Sequence, residues 1–264
     1  MKIFIQILSL FILVISPCKG QITSATLLST ESISANRFLG IDVLSNRYYE
    51  ENGVLFKSND EQIWQYKNLV LGKILKIDTQ NPLKIAVFFE RFNAVVLLDN
   101  QLNEIKRIAF SDINKSSIIA SAIGIAAQNK LWFYDTISQK IGLYNYLNDD
   151  FKWISTSFAG NFKHYESDFN NFQWIDNELN WYSCNLFGEI KLIRPVPDFE
   201  TIQIINSNLI LYSKGEHLCF LDFKSNKTHE VQNVDKSFDF FIYKDQILSI
   251  FTNRQIKKYK IIIP

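Results

Sequence analysis

Residues 128–146 read QNKLWFYDTISQKIGLYNY, and this stretch contains the pattern that decides the fold. A polar turn at residues 128–130 precedes the apolar run at 131–134. A second polar turn follows at 135–140, and then apolar and polar residues alternate through Tyr146. Short runs of β-branched and aromatic residues between turn residues are typical of β-strands, so the stretch predicts two strands joined by a turn.

The same unit recurs along the chain in imperfect copies. The copies cover residues 52–66, 84–99, 176–193, 206–222 and 244–259. Their landmark residues, together with that of the first unit, are Val54, Ala86, Leu131, Leu179, Leu209 and Ile247. The landmarks are 32, 45, 48, 30 and 38 residues apart, with a mean of about 39.

A period near 40 residues with four short strands per unit is typical of a β-propeller. The sequence therefore predicts an all-β protein, a β-propeller of about six degenerate four-stranded blades. Seven blades, or another multi-sheet β architecture such as a sandwich or a pair of β-domains, are the alternatives. The strand-like segments at residues 22–28 and 258–263 lie outside the repeats, and one is expected to complete the blade that the other begins, which would lock the ring.

The first twenty residues, MKIFIQILSLFILVISPCKG, have the layout of a secretory signal peptide. A basic Lys2 precedes an apolar run of 13 residues, which is shorter than the roughly 20 needed to span a bilayer. We therefore predict a leader at residues 1–20 and a single propeller domain at residues 21–264. An uncleaved anchor and a lipid-modified Cys18 are the alternatives. After leader cleavage no transmembrane span is expected.

Composition limits the function. At 47% hydrophobic residues the 264-residue chain can bury a core, which excludes intrinsic disorder. The formal net charge is +1, and removal of Lys2 and Lys19 with the leader leaves 26 basic and 27 acidic residues. A near-neutral chain does not have the charge of a nucleic-acid-binding protein. Nine glycines and three histidines leave little room for a nucleotide-binding fold or a histidine metal site.

No residue set predicts catalysis, cofactor binding or metal binding. The acidic pairs Asp149-Asp150, Glu50-Glu51 and Asp60-Glu61 are expected in solvated turns. His164, His217 and His229 lack metal-ligand spacing, and His217 and Cys219 are expected on opposite faces of a strand. No nucleophile-elbow or phosphate-loop motif occurs. We therefore predict no catalytic, cofactor-binding or metal-binding residues, and a protein that is not an enzyme.

Three further features leave alternatives open. Cys184 and Cys219 either form a disulfide or remain buried free thiols. The basic cluster at Arg254, Lys257, Lys258 and Lys260 is expected on a solvated edge strand, or less readily against an acidic partner. Residues 147–175 form the least regular stretch, interpreted as a long loop and strand region projecting from one face. Its aromatic run at 158–174 is expected in the core, with a protein-binding face as the alternative.

The leader, the Lys-, Ile- and Asn-rich composition and the degenerate repeats are similar to those of exported proteins of the Bacteroidota. Residues 81–104, NPLKIAVFFERFNAVVLLDNQLNE, resemble a family of small periplasmic propeller-like proteins from that group. The family is associated with the plug subunit of the type IX secretion translocon. The resemblance implies a periplasmic location and a protein partner, an outer-membrane translocon barrel. No catalytic motif defines the family, so no functional residue is carried over.

The sequence thus predicts a non-enzymatic periplasmic β-propeller that binds protein, as a plug or accessory subunit of an outer-membrane secretion complex. The alternative is a propeller enzyme or carbohydrate-binding protein with its site in the central channel. Acids and aromatics that converge in an axial pocket would favour the alternative, whereas a flat apolar face would favour docking.

Overall fold

The computed structural model describes residues 21–111 and 117–263, and the predicted leader at residues 1–20 lies outside the described residues. The described chain forms 25 β-strands in six sheets. Five sheets have four strands and one has five. The sheets are the blades of a six-bladed β-propeller, which confirms the predicted fold and the blade number.

In blades 1 to 4 each sheet is formed by four consecutive strands, ordered from the axis outward. Blade 1 contains β3 (Arg37–Ile41), β4 (Arg47–Glu51), β5 (Val54–Ser58) and β6 (Ile63–Lys67); blade 2 contains β7 (Lys76–Asp78), β8 (Ile85–Phe89), β9 (Ala94–Leu98) and β10 (Glu104–Ala109); blade 3 contains β11 (Ala120–Ala126), β12 (Lys130–Asp135), β13 (Lys140–Asn145) and β14 (Asp150–Trp153); blade 4 contains β15 (Phe162–Ser167), β16 (Asn171–Asp176), β17 (Asn180–Asn185) and β18 (Ile190–Pro195). A short 3-10 helix at Glu90–Phe92 joins β8 to β9.

Blades 5 and 6 each take one strand from the beginning of the described chain. Blade 5 contains β19 (Thr201–Asn206), β20 (Leu209–Lys214), β21 (His217–Asp222), β22 (Lys227–Gln232) and β1 (Gln21–Ser24); blade 6 contains β23 (Phe240–Lys244), β24 (Ile247–Thr252), β25 (Gln255–Lys260) and β2 (Thr26–Ser32). β1 pairs in parallel with β22, and β2 pairs antiparallel with β25. The N-terminal segment therefore completes blade 6, as predicted, and also adds a fifth strand to blade 5.

The true period is more regular than the sequence landmarks indicated. The innermost strands begin at residues 37, 76, 120, 162, 201 and 240, so their spacings are 39, 44, 42, 39 and 39 residues. The spacings between the landmarks vary because the landmarks fall on different strands of their blades. Val54 begins the third strand of its blade, whereas Leu131 lies in the second strand. The sequence landmarks therefore indicate the repeat correctly, but they mark different positions within the blades.

The core lies between the blades, with one apolar cluster at each of the six seams. Strand β8, IAVFF, shows why the sequence looks this way. Ala86 and Phe88 join the cluster against blade 3, whereas Ile85, Val87 and Phe89 join the cluster against blade 1. Successive strand residues point to opposite faces, and both faces of a blade are covered, so the strand is apolar throughout.

Residues 147–175 do not project as a loop, because they contain β14, β15 and most of β16. Most aromatic side chains of the run at 158–174 pack in the seam between blades 3 and 4, whereas Phe151 and Trp153 pack in the seam between blades 2 and 3 and Phe169 is exposed. Trp174 stacks between Phe158 and Tyr182, with ring centroids 4.9 and 5.3 Å away. The irregular appearance arises because eight residues of interblade loop, 154–161, separate β14 from β15.

Three aspartates shape turns of one kind. Asp42, Asp99 and Asp176 each accept backbone N–H groups from the residues two and four positions later, at 2.8–2.9 Å. The fourth residue of each turn has a positive φ, between 62° and 68°. An aspartate side chain that takes the place of a backbone acceptor stabilises such turns, so these acids have a structural use.

Candidate functional site

Strand direction divides the turns between two faces of the disc. Because the strands within a blade are antiparallel, the interblade loops and the turns between second and third strands lie on one face, here called the upper face. The turns between first and second strands, and between third and fourth strands, lie on the lower face. A site on either face is therefore assembled from turns that are distant in sequence.

A cavity of about 300 Å³ lies where the innermost strands end near the lower face. Polar side chains from four blades line this axial pocket. They are Asp42, Lys76, Asp78, Thr79, Gln80, Glu166, Ser167 and Lys244. Three acids and two lysines from four blades thus converge near the axis, and Tyr165 lies beside Lys76.

Three of these polar groups form hydrogen bonds with unpaired backbone groups of neighbouring innermost strands. Asp78 Oδ2 accepts the Ile125 N–H at 2.7 Å, and Gln80 Nε2 donates to the Ile125 carbonyl at 2.7 Å. Glu166 Oε1 accepts the Ile204 N–H at 3.2 Å. An inner strand has no further strand to pair with, so its N–H and C=O groups need such partners. The convergence of acids at the axis is therefore largely structural.

The surroundings of Lys76 change its pKa. Its Nζ donates to the Tyr165 carbonyl at 2.7 Å and lies 3.5 Å from the centroid of the Tyr165 ring. Burial lowers the pKa of Lys76 to about 8, although Glu166 and Asp78 favour its charged form. Burial also raises the pKa of Asp78. The axial pocket therefore offers charged and hydrogen-bonding groups to a polar ligand.

The three histidines lie in separate places. His164 Nε2 is 2.8 Å from Glu166 Oε1, and His217 Nδ1 is 2.7 Å from Glu230 Oε1. His229 is buried in blade 5. In residues 21–111 and 117–263, no group of three or more His, Cys, Asp or Glu side chains is arranged to hold a metal ion.

Both cysteines of the propeller are free thiols. Cys184 lies on β17 and Cys219 on β21, in different blades. The expected opposite orientation of His217 and Cys219 is wrong, because residues two apart in a strand share a face, and both lie beside Glu230. Burial raises the pKa of Cys184 to about 12, and burial with the Glu230 charge raises that of Cys219 to about 11. Neither is an activated nucleophile.

The acidic pairs are engaged in separate ion pairs. Asp149 lies 2.5 Å from Lys106 Nζ, and Asp60 lies 3.0 Å from Arg47. Glu50, which lies within strand β4 rather than in a turn, pairs with Arg37 at 2.7 Å. None of these contacts brings two carboxylates together for acid–base chemistry.

The basic cluster is also not on an edge strand. β2 covers β25, so Lys257 and Lys258 lie on the third strand of blade 6, between β24 and β2. Lys257 pairs with Asp235 at 2.9 Å, and Lys258 pairs with Glu31 at 3.2 Å. Half of the cluster is therefore neutralised by the chain itself.

Exposed apolar side chains form a stripe across the upper face of blades 1, 2 and 3. The apolar stripe consists of Leu69, Val70, Leu75, Phe92, Ile119 and Ile137, which are between 42% and 83% exposed. Backbone and side-chain contacts hold its parts together. Gly72 lies against the Phe92 ring, Asn93 bonds to the Ile118 carbonyl, and the Thr136 N–H bonds to the Ile119 carbonyl.

Sequence reasoning did not identify the stripe or the axial residues. The only local signal was the apolar triplet Leu69-Val70-Leu71, which follows Asn68 in an interblade loop.

No helix within the described parts of the chain has the length and hydropathy needed to cross a membrane.

No protein-family model matches the chain, and no curated protein is a significant match. Solved structures do resemble it. A structural-genomics protein of unknown function from Bacteroides thetaiotaomicron is 14% identical, over 92% of this chain and 74% of that chain, with a TM-score of 0.58. A member of the DUF4221 family from Bacteroides vulgatus is 9% identical, over 93% and 99% of the two chains, with a TM-score of 0.55.

An enzyme has a similar fold. The catalytically inactive histidine-to-alanine variant of virginiamycin B lyase from Staphylococcus aureus, with quinupristin, is 9% identical over 91% of this chain and 99% of that chain, with a TM-score of 0.55. At such low identities these likenesses show the β-propeller fold alone, because one fold carries many functions.

Proposed function

We propose that this protein is an exported, non-enzymatic β-propeller that binds a protein partner through the apolar stripe. The stripe carries the proposal, because contiguous exposed apolar surface is uncommon on soluble monomers and marks interaction sites. Leu69 and Val70 are 83% and 68% exposed in a loop that contributes only Leu71 and Ile74 to the core. Burying them against a partner would remove apolar area from water.

The use of the polar groups supports a non-enzymatic role. The histidine-to-alanine variant of virginiamycin B lyase is catalytically inactive. In this chain His164 and His217 are each paired with a glutamate, and His229 is buried in a blade. The axial acids Asp78 and Glu166 accept backbone N–H groups. These groups are committed to the fold rather than poised for a reaction.

The partner we propose is an outer-membrane protein of a secretion complex. The leader-like residues 1–20 and the resemblance of residues 81–104 to periplasmic propellers of the Bacteroidota motivate this choice. In such a complex a rigid disc acts as a plug or accessory subunit, since a broad face can close a pore without chemistry. The proposal thus has three parts: a periplasmic location, membership of a secretion complex, and the absence of enzymatic activity.

The test is affinity purification from native membranes of the source cells, with bound proteins identified by mass spectrometry. The wild-type protein is compared with the double substitution Leu69→Ser/Val70→Ser, which changes two exposed side chains and leaves the core intact. We expect the wild type to recover an outer-membrane protein and the stripe variant to lose it. Loss of a binding patch typically costs about 2 kcal/mol or more, roughly a thirtyfold weakening.

The matched control is Leu27→Ser/Leu28→Ser, a pair of leucines 54% and 53% exposed on β2, away from the stripe. This control should bind as the wild type does. Recovery of the wild-type protein without partners, or equal recovery of the partner by the stripe variant, would contradict the proposal.

A further inference from the structure

A second cavity lies in the seam between blades 4 and 5. It has a volume of about 440 Å³ and is bounded by β15, β16 and β17 on one side and by β19 with its following turn on the other. Its lining includes Glu166, Gln173, Trp181, Ser183, Ile204 and Ser207. We call it the seam cleft. Ligand pockets are typically about 300–1,000 Å³, so the cleft has the volume of a small-molecule site.

The seam cleft offers several hydrogen-bonding side chains to a ligand. Gln173 lines the cavity, and because its Oε1 accepts the Trp181 Nε1–H at 3.0 Å, its NH2 group is the part of the amide that can donate to a ligand. The Ser183 and Ser207 side chains also line the cavity. Each hydroxyl can both donate and accept. Ile193 and Ile204 add apolar surface beside these polar groups.

The charges around the cleft restrict its ligand. Glu166 and Asp168 are acidic, and they would repel an anion. Both already accept donors from the chain: Glu166 bonds to the Ile204 N–H and His164, and Asp168 bonds to the Asn170 and Asn171 N–H groups. Lys76 interacts with Glu166 from the axial side, so the acids are partly balanced. A neutral ligand with several hydroxyl groups fits this lining best.

We propose that the seam cleft binds a neutral mono- or disaccharide. Sugar hydroxyls would donate to the outer lone pairs of Glu166 and exchange hydrogen bonds with Gln173, Ser183 and Ser207, while the C–H face of the sugar would lie on Ile193 and Ile204. The cleft lies between blades 4 and 5, whereas the apolar stripe lies on blades 1 to 3. The saccharide site therefore goes beyond the protein-binding function and does not depend on it.

The test is isothermal titration calorimetry and saturation-transfer NMR on residues 21–264, with maltose, cellobiose and N,N′-diacetylchitobiose as probes. We expect saturable binding of at least one probe with a millimolar Kd. Ser183→Leu fills the cleft from β17, and Ser207→Leu narrows it from an exposed turn of blade 5. Each should weaken binding by at least about tenfold, because a hydrogen bond is lost and volume is removed.

The matched control is Ser225→Leu, which changes an exposed turn serine of the same blade outside the cleft and should leave the Kd unchanged. Circular dichroism spectra check the fold of each variant. If Ser183→Leu does not fold, Ser207→Leu alone decides, because its side chain is exposed and not part of the core. Failure of all three probes to bind saturably, or an unchanged Kd in the folded cleft variants, would overturn the proposal.

Discussion

Position 124 on β11 has no room for a side chain larger than hydrogen. The Cβ of an alanine there would lie 1.8 Å from Ser167 Oγ and 2.8 Å from Ser167 Cβ. Rotation of Ser167 can move its hydroxyl but not its Cβ, so β11 and β15 would have to separate. The close approach of these two inner strands, which belong to blades 3 and 4, therefore requires Gly124.

We predict that Gly124→Ala lowers the free energy of unfolding by about 1–3 kcal/mol, the usual cost of overpacking. Urea unfolding followed by circular dichroism measures the change. The double variant Gly124→Ala/Ser167→Gly removes both clashing atoms and should recover at least part of the loss. Unchanged stability of the single variant, or no coupling between the two positions, would show that the strands are not in this close contact.

At the level of elements, the two N-terminal strands have unequal importance. β2 supplies the outer strand of blade 6, and so links the beginning of the described chain to the last blade before the ring closes against blade 1. β1 adds a fifth strand to a blade that already has four, through four paired residues. Each net backbone hydrogen bond contributes about 0.5–1.5 kcal/mol, so loss of β1 alone is a moderate perturbation.

We predict that a chain beginning at Thr26 unfolds cooperatively with a Tm several degrees lower, whereas a chain beginning at Ile33 loses cooperative unfolding. The second truncation exposes the edge of β25 and removes one side of its blade. Differential scanning calorimetry of the two truncations against residues 21–264 is the measurement. Equal Tm losses in the two truncations would mean that β2 does not close the ring.

The elements also show what the sequence could predict. Strands such as β8 and β12 were evident, because their apolar runs reflect burial on both faces. The inner strand β7 was missed: it has only three residues, Lys76–Asp78, and two of them are charged. Its charges face the axis, and ring closure alone brings partners such as Ile125 and Tyr165 to them. Local patterns cannot report contacts between residues about 50 to 90 positions apart.

For the whole molecule, strand pairing and seam packing close the ring, and no disulfide joins blades among the described residues. Six apolar clusters, one per seam, hold the blades together. The two thiols of the propeller lie in different blades, and Cys184 is fully buried in the seam between blades 3 and 4. A disulfide is therefore not needed for the fold, even in an oxidising compartment.

We predict that residues 21–264 have the same Tm with and without reductant. Ellman's reagent should titrate two thiols in urea, and react only slowly with the native protein at pH 8. The native reaction is slow because Cys184 is buried, Cys219 is half-buried and their pKa values are raised to about 12 and 11, so little thiolate forms. Raising the pH from 8 to about 9 should accelerate the reaction about threefold in urea-unfolded protein, because its thiols, with pKa values near 8.5, are already partly ionised. The native protein should react about tenfold faster at the higher pH, because its raised thiol pKa values lie well above both pH values. Absence of free thiols in urea without reductant, or a Tm that falls when reductant is added, would instead establish a disulfide across blades 4 and 5 and require those blades to move together.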